Sequence, residues 1–500
     1  MAERIGVIDL GSNTTRLVVL SYTPHHSFKL TDEVRETVRL AEGIGADGRI
    51  QPAAIDRGVA AMRLFANYCK SVGVDRIVPV ATSAVREASN QAEFLERVEY
   101  EAGLKMRVLS AQEEAYYGYV GTVNALPLDN AFLIDIGGGS TQGTMIRARG
   151  FGQSFSRPLG ALRISDRHIH SDPITAKDFK ALEQAAADTF TDIDWFSASQ
   201  GATLAGIGGT IRTLAEIDMK AQRHPLDRVH GYALRLDRLE QLIERLRGMT
   251  TRQREDVPGL GRDRADLILG GAVILRHLMR QGGFESIVAS GYGLREGLFF
   301  EHLLVGENPP VLGDQRAFSV LNLARLYSYE SIHAAKVREL ATSLFDQLQS
   351  LHGFGPWERE LLGHAALIHD IGITIGYYDH HKHGEYLVLN SALLGFSHRE
   401  VVILAQLVRS HRKGDILTEP YQAVLDPSDR DRIAKLAALL RIAEHLERRK
   451  CQVIQQIRVE IGDPVRLYTT ALGDASVEIW EANRRTALFR KAYGRGIEII

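Results

Sequence analysis

Cysteine is nearly missing from this chain of 500 residues: Cys69 and Cys451 lie far apart, with no C-x-x-C spacing. Neither a disulfide framework nor a zinc–thiolate site is indicated, and a reduced cytoplasmic setting fits. An excess of charge of one sign is also lacking. With 60 Lys and Arg against 62 Asp and Glu, the formal net charge is -2. That balance argues against a general nucleic-acid binder, although local basic clusters remain able to serve a polyanion. No stretch approaches the roughly 20 apolar residues of a membrane span. Glu3 and Arg4 lead straight into a strand without an apolar leader region, so no secretory signal is expected either. What the chain has is length. With 45% hydrophobic residues it can bury several cores, and the usual domain size predicts about three to four domains.

One short pattern occurs twice. Asp9-Leu10-Gly11-Ser12-Asn13-Thr14 follows the apolar run 5–8, and Asp135-Ile136-Gly137-Gly138-Gly139-Ser140-Thr141 follows the apolar run 131–134. Each is an acid-glycine-hydroxyl turn leaving a strand. Glycine lets backbone N–H groups converge on an anion because no Cβ blocks approach. An aspartate beside a phosphate is repulsive unless a divalent cation sits between them, so the pairing points to Mg²⁺-assisted phosphoryl chemistry with Asp9 and Asp135 as metal ligands.

The surrounding periodicity is that of a two-lobed α/β protein. Residues 4–22 read as strand, turn and strand, and Pro52 opens an amphipathic helix running through Tyr68. The strand 76–81 delivers Thr82, Ser83 and Arg86 at its C-terminal end, where open α/β sheets bind ligands. The strand 105–110 runs into a helix opened by Gln112-Glu113-Glu114. In the second half, the strand 202–207 meets Gly208-Gly209-Thr210, and the strand 285–289 meets Ser290-Gly291-Tyr292-Gly293. These are a third and a fourth candidate anion turn. Residues 305–313, with Gly306, Pro309, Pro310 and Gly313, form the best linker. Beyond it the spacing becomes helical through residue 448, and alternation in 453–459, 465–468 and 477–480 predicts a small terminal α+β unit.

Taken in order, the two turns, Ala81-Thr82-Ser83-Ala84-Val85-Arg86-Glu87-Ala88, Leu109-Ser110-Ala111-Gln112-Glu113-Glu114-Ala115 and Gly206-Ile207-Gly208-Gly209-Thr210 resemble the Ppx/GppA family of exopolyphosphatases and guanosine pentaphosphate phosphohydrolases. The resemblance implies an α/β fold of two actin-like lobes, at 1–124 and 125–308, with the site in the cleft between them. It also implies an all-α HD-like domain at 309–450 and a small α+β domain at 451–500. It assigns phosphate binding to Gly11, Ser12, Asn13, Arg86, Gly138, Gly139, Ser140 and Thr141, with Gly208, Gly209, Thr210 and Ser290 at the further turns, and the general base to Glu113. Where the family usually carries a second glutamate this chain has Gln142, whose neutral amide can orient water but cannot take a proton at neutral pH.

In the helical region His333, His364, His369-Asp370, the run His380, His381, His383, then His411 and Glu444 follow the order of the HD superfamily. That order implies a second divalent-metal site on His333, His369, Asp370 and Glu444. Basic clusters at Lys382-His383, Arg409-Ser410-His411-Arg412-Lys413, Arg484-Arg485, Arg490-Lys491 and Arg495 are candidates for a path along a long polyanion.

The expectation is a cytoplasmic exopolyphosphatase using Mg²⁺, with K⁺ as an additional candidate cofactor. Its partner is inorganic polyphosphate or a (p)ppGpp-type nucleotide rather than nucleic acid, and the resemblance implies a homodimer. The alternatives are a pppGpp 5'-phosphohydrolase and, from another class, a weakly catalytic polyphosphate- or nucleotide-binding regulator.

Overall fold

The computed structural model describes residues 2–45, 47–197, 202–412 and 416–500; Lys413, at the end of one basic run, lies outside them. The chain divides into two units, Met1–Gly313 and Asp314–Ile500.

The first unit contains two sheets of matching topology. β1 (Glu3–Leu10) is apolar on both faces and occupies a central position, pairing antiparallel with β2 (Thr14–Thr23) and parallel with β4 (Arg76–Ala81). β3 (Ser27–Thr37) pairs antiparallel with β2, and β5 (Arg107–Val108) pairs parallel with β4. The order is therefore β3-β2-β1-β4-β5. In the second sheet β6 (Ala131–Ile136) takes the place of β1. It pairs antiparallel with β7 (Thr141–Arg147), which pairs antiparallel with β8 (Gly150–Arg157). On its other side β6 pairs parallel with β9 (Thr203–Ile207), followed by β11 (Ser286–Ala289) and β10 (Ala233–Arg235). The repeated turn is thus the hairpin tip of a repeated lobe.

Each sheet has its own core. Ile55, Val59, Met62 and Phe65 recur at helical spacing on the helix Pro52–Ser71 and bury with Ile8, Leu10 and Leu17 of the first sheet. Pro52 sits in the first turn, where its missing N–H leaves no hydrogen bond unmade. In the second lobe Phe132, Ile134 and Ile136 bury with Ile211 and Leu214 of the helix Gly208–Ala221 and with Leu269, Val273 and Leu278 of the helix Ile268–Gly282. This is the two-lobed α/β class expected from the sequence.

The second unit is mostly helical. Its long helices are Gln315–Leu326, Ser331–Gln347, Pro356–Ile368, His380–Asn390, His398–Ser410 and Asp429–His445. The terminal sheet of β12 (Ile454–Glu460), β13 (Val465–Ala471) and β14 (Ile497–Ile499) shares one apolar cluster with them, since Ile454, Val465 and Ile499 join Val337, Leu404 and Leu439. Residues 477–480, which alternate like a strand, lie instead in the helix Ser476–Asn483. The reason is Glu478, whose carboxylate is fully buried against the Arg449 guanidinium at 2.7 and 2.8 Å. A buried charge is tolerated when it is paired in this bidentate way.

Candidate active site

The two hairpins carry the site. Asp9 lies in β1 opposite Arg16, and Asp135 lies in β6 opposite Gln142, so Arg16 and Gln142 hold equivalent positions in the two lobes. Each tip closes by the same backbone contact, Gly11 N–H to Thr14 O at 3.2 Å and Gly137 N–H to Ser140 O at 3.0 Å. The tips approach closely. A Cβ on Gly139 would lie 2.7 Å from Ser12 Oγ and 3.0 Å from Ser83 Oγ, and those two hydroxyls are hydrogen-bonded at 2.9 Å. Gly208 has φ +91°, and a Cβ there would stand 2.6 Å from Asp135 Oδ1. Only glycine therefore leaves that carboxylate open to a ligand.

Between the tips is a cavity of about 130 Å³. Of the residues expected from the sequence, Asp9, Gly11, Ser12, Asn13, Asp135, Gly138, Ser140, Gly208 and Gly209 line it. Both polar atoms of the Asn13 amide are buried without a hydrogen-bond partner, which suits a side chain waiting for a polar ligand.

Other expectations need correcting. Glu113 does not line the cavity. The run Ser110-Ala111-Gln112-Glu113 is a capping box at the start of the helix Ala111–Ala125: Ser110 N–H donates to Glu113 Oε2 at 2.8 Å, and Glu113 N–H donates to Ser110 Oγ at 3.2 Å. Its other oxygen is paired with Arg107, and this hydrogen bond holds the Glu113 carboxyl down at about 2. One residue on, about 100° around the helix, Glu114 enters the cavity wall. Arg86 does not line the cavity either, because its guanidinium is bound to Glu114 Oε2 at 2.8 Å and to Leu109 O at 2.9 Å. Thr141 Oγ1 donates to Leu159 O at 2.6 Å, Ser290 Oγ is engaged by the backbone of Tyr292, and Thr210 is buried behind the wall; none of the three faces the cavity. Gly139 serves the contact between the tips. Gln142 is likewise off the main cavity. Its Nε2 is 2.9 Å from Ser140 Oγ, and with Glu114 and Asp135 it borders a separate cavity of about 10 Å³, about the room one water needs.

The sequence reading missed four arginines, Arg16, Arg212, Arg264 and Arg295, and the acid Glu296, all on the cavity wall. They come from four distant segments, so spacing carries no signal of their convergence. The electrostatics follow from burial. Desolvation raises Asp9 despite Arg295 and Arg16, and it raises Asp135 to about 6 with help from Asp9. Glu114 is pushed up to about 7 by burial, against the pull of Arg86 and with the repulsion of Asp135 and Asp9. Arg212 falls to about 9 through burial and its arginine neighbours. Buried carboxylates raised in this way favour a proton or a cation beside them.

The second unit has a polar centre of its own. His333, His369 and Asp370 come together as the sequence suggests, and His380 and His411 join Asp370 on its other side. Glu444 is not among the converging ligand atoms. Its buried carboxylate lies 2.9 Å from His445 Nδ1 and 3.6 Å from Arg448 and acts electrostatically on His411 and His369 from beside the cluster. Burial pushes His411 down to about 3 and His333 to about 4. The basic runs are partly neutralised: Arg409 is paired with Glu385, Lys382 with Asp379, and Arg484 and Arg485 with Glu481.

The family description "Ppx/GppA phosphatase family" matches residues 18–305, and "Ppx/GppA phosphatase, domain III" matches 315–470. The chain belongs to the Ppx/GppA phosphatase family. Among solved Ppx/GppA structures it is similar to an exopolyphosphatase from Cytophaga hutchinsonii, at 26% identity and a TM-score of 0.56, over 60% of this chain and 98% of that one. It is also similar to the Aquifex aeolicus family member, at 25% identity and a TM-score of 0.51, over 60% of this chain and 97% of that one. As a Ppx/GppA protein the chain is a phosphoanhydride hydrolase, and the cavity between the hairpin tips is its candidate active site. Among the described residues no helix is long and apolar enough to cross a membrane.

Proposed function

We propose that this phosphatase is an exopolyphosphatase that hydrolyses the terminal phosphoanhydride of linear polyphosphate with Glu114 as general base. The observation that carries the reading is the presence of the buried Glu114 carboxylate in one cavity with Asp9, Asp135 and four arginines. A base raised to about 7 is matched to proton transfer near neutral pH. Glu114 accepts a proton from the attacking water as its oxygen bonds to the terminal phosphorus. The bond from that phosphorus to the bridging oxygen breaks, and the oxygen leaves with the electron pair on the shortened chain. Arg16, Arg212, Arg264 and Arg295 offset charge on the phosphoryl oxygens, and Ser12, Asn13 and Ser140 orient them. Gln142, hydrogen-bonded to Ser140, positions that hydroxyl and borders the small cavity beside Glu114.

The cavity wall suits a divalent cation. Four arginines and four acids, Asp9, Glu114, Asp135 and Glu296, line it, so their formal charges cancel and the cavity gains a preference for anions only when a cation is added. The opening kept beside Asp135 by Gly208 and the raised carboxylates fit the same group. Asp9 and Asp135 would hold Mg²⁺, which supplies charge neutralisation at the transferred phosphoryl group.

The similarity to the Cytophaga hutchinsonii exopolyphosphatase supports polyphosphate over pppGpp. The reading carries with it a cytoplasmic homodimer and an HD-type helical region. The test is orthophosphate release from long polyphosphate and from pppGpp, side by side, with Mg²⁺ and with and without K⁺, for the unmutated chain and for Glu114→Gln. Faster release from polyphosphate, lost in the variant, is expected. Equal turnover by Glu114→Gln overturns the base, and preference for pppGpp overturns the substrate.

A further inference from the structure

Two of the arginines on the cavity wall share one acceptor oxygen, and that oxygen belongs to an acid outside the cavity. Asp9, Arg16 and Arg35 stand opposite one another across β1, β2 and β3, so two like charges face each other on neighbouring strands, which is unfavourable. Burial lowers Arg16, and the charges of Arg295 and Arg35 lower it further. Arg295 arrives from the helix Leu294–Leu303, and its side chain is only 7% exposed.

Glu33 meets this crowding. It lies two residues before Arg35 on β3, hence on the same face of the sheet. Its Oε1 accepts from Arg16 Nη1 at 2.8 Å and from Arg295 Nη1 at 3.2 Å. Partial desolvation works against the charge, but Arg295 and Arg16 hold the Glu33 carboxyl below its usual range, so it is ionised at neutral pH. A guanidinium is a rigid planar fork, and fixing one nitrogen from behind restricts where the others point. Arg295 shows the result, with Nη1 on Glu33 and Nη2 3.8 Å from Oε1 of Glu296, an acid of the cavity wall. Arg35 does not compete for Glu33, because it is paired with Asp263. Asp263 in turn lies 4.0 Å from Nε of Arg264, a third wall arginine, and repeats the arrangement more loosely.

We propose that Glu33 is a positioning residue for phosphoanhydride hydrolysis: from outside the cavity it holds Arg16 and Arg295 together so that their remaining N–H groups meet the phosphoryl oxygens of the substrate. Its exposure, 40% of the side chain, separates this role from a structural one. An exposed carboxylate contributes little to stability, whereas two guanidiniums released from it repel and lose the geometry that phosphoryl recognition needs. The inference rests on the cavity as the site of hydrolysis, not on Glu114 as base or on which polyanion is cleaved.

The test measures kcat and KM of the full chain on the faster of two substrates, long polyphosphate and pppGpp, and the Kd of orthophosphate by calorimetry, with thermal melts alongside. Glu33→Ala should raise both KM and Kd by about 10–100-fold with little change in melting temperature. Glu33→Gln, which keeps an acceptor oxygen in place, should raise them less. Loss of an acid by itself tightens anion binding, so a weakening reads geometry rather than charge. In an Arg16→Gln/Arg295→Gln chain, the further change Glu33→Ala should move neither constant. Unchanged or tighter binding in Glu33→Ala overturns the proposal, as does an equal loss with both arginines already replaced. A collapsed melting temperature in both Glu33 variants assigns the residue to the fold and overturns it too. If Arg16→Gln/Arg295→Gln leaves KM and Kd unchanged, the cavity is not the site of hydrolysis, and the proposal falls with that reading.

Discussion

The cavity of the first unit and the histidine cluster of the second are both buried polar centres, and burial acts on them with opposite sign. In the first, desolvation raises carboxylates, Asp135 to about 6 and Glu114 to about 7. In the second, it lowers imidazoles, His411 to about 3 and His333 to about 4. Low dielectric disfavours whichever form is charged, so carboxylates hold protons and imidazoles give them up. The chemical consequence differs. Carboxylates interleaved with arginines suit a hard cation together with a phosphate, whereas neutral imidazoles around one carboxylate suit a softer ion. One physical effect thus leaves the two clusters with opposite proton affinity.

The largest expected effect separates Glu114 from its neighbour. Glu114→Gln should lower phosphate release by about 10²–10⁴-fold, the usual worth of a general base. Glu113→Gln should leave turnover nearly unchanged, because Glu113 lies off the cavity. Parallel kinetics of the two variants decide the matter, and the reverse ranking would return the base to Glu113.

Next is the stability cost of Glu114 itself. A carboxylate whose folded pKa is raised from the ordinary 4.5 to about 7 favours the folded state in its protonated form. That contribution is fully present below about 4.5 and is lost as pH rises through 7. In metal-free protein, Glu114→Gln should therefore unfold at a higher temperature than the unmutated chain at pH 8, with the difference fading below pH 4.5. Thermal scans at the two pH values measure it, and a less stable variant at pH 8 would mean that the Arg86 pairing outweighs the burial.

A smaller effect tests the closeness of the second hairpin to the segment after β8. A Cβ on Gly160 would lie 2.5–2.6 Å from the backbone of Gly137 and Gly138. Gly160→Ala should destabilise the protein by about 1–3 kcal/mol, as overpacking usually does, and should raise KM for polyphosphate. Denaturant melts and steady-state kinetics check the two parts. The smallest effect belongs to Glu113. Its depressed pKa stabilises the fold above the ordinary value of 4.5, a contribution lost as pH falls through about 2. Because the Arg107 pair is largely exposed, Glu113→Gln should cost at most about 1 kcal/mol at pH 7, with the cost fading as pH falls through the folded pKa.

The candidate site was legible where local chemistry set it. Asp9, Gly11, Ser12, Asn13, Asp135, Gly138 and Ser140 were readable because acid, glycine and hydroxyl follow a strand within a few residues. Ser110-x-x-Glu113 is itself a capping-box signature written in the sequence, and it leaves Glu114, paired with Arg86, as the acid of this helix start that lines the cavity. Ser290 and Thr141 share the composition of a phosphate turn, but their hydroxyls satisfy nearby backbone groups instead. Residues 477–480 alternate, yet a buried Glu478–Arg449 pair holds them in a helix.

By itself, the sequence determined the duplicated strand-turn-strand, the change to helical period after residue 313, the His369-Asp370 pair and the family, because each is written in neighbouring residues or in motif order. Tertiary structure alone decided that Arg16, Arg212, Arg264 and Arg295 share one cavity with Glu114, and that His380 and His411 rather than Glu444 converge on Asp370. Those groups come from segments far apart in the chain. Their meeting depends on how sheets and helices pack, and packing is set by apolar contacts that carry no mark of which polar side chains they will bring together.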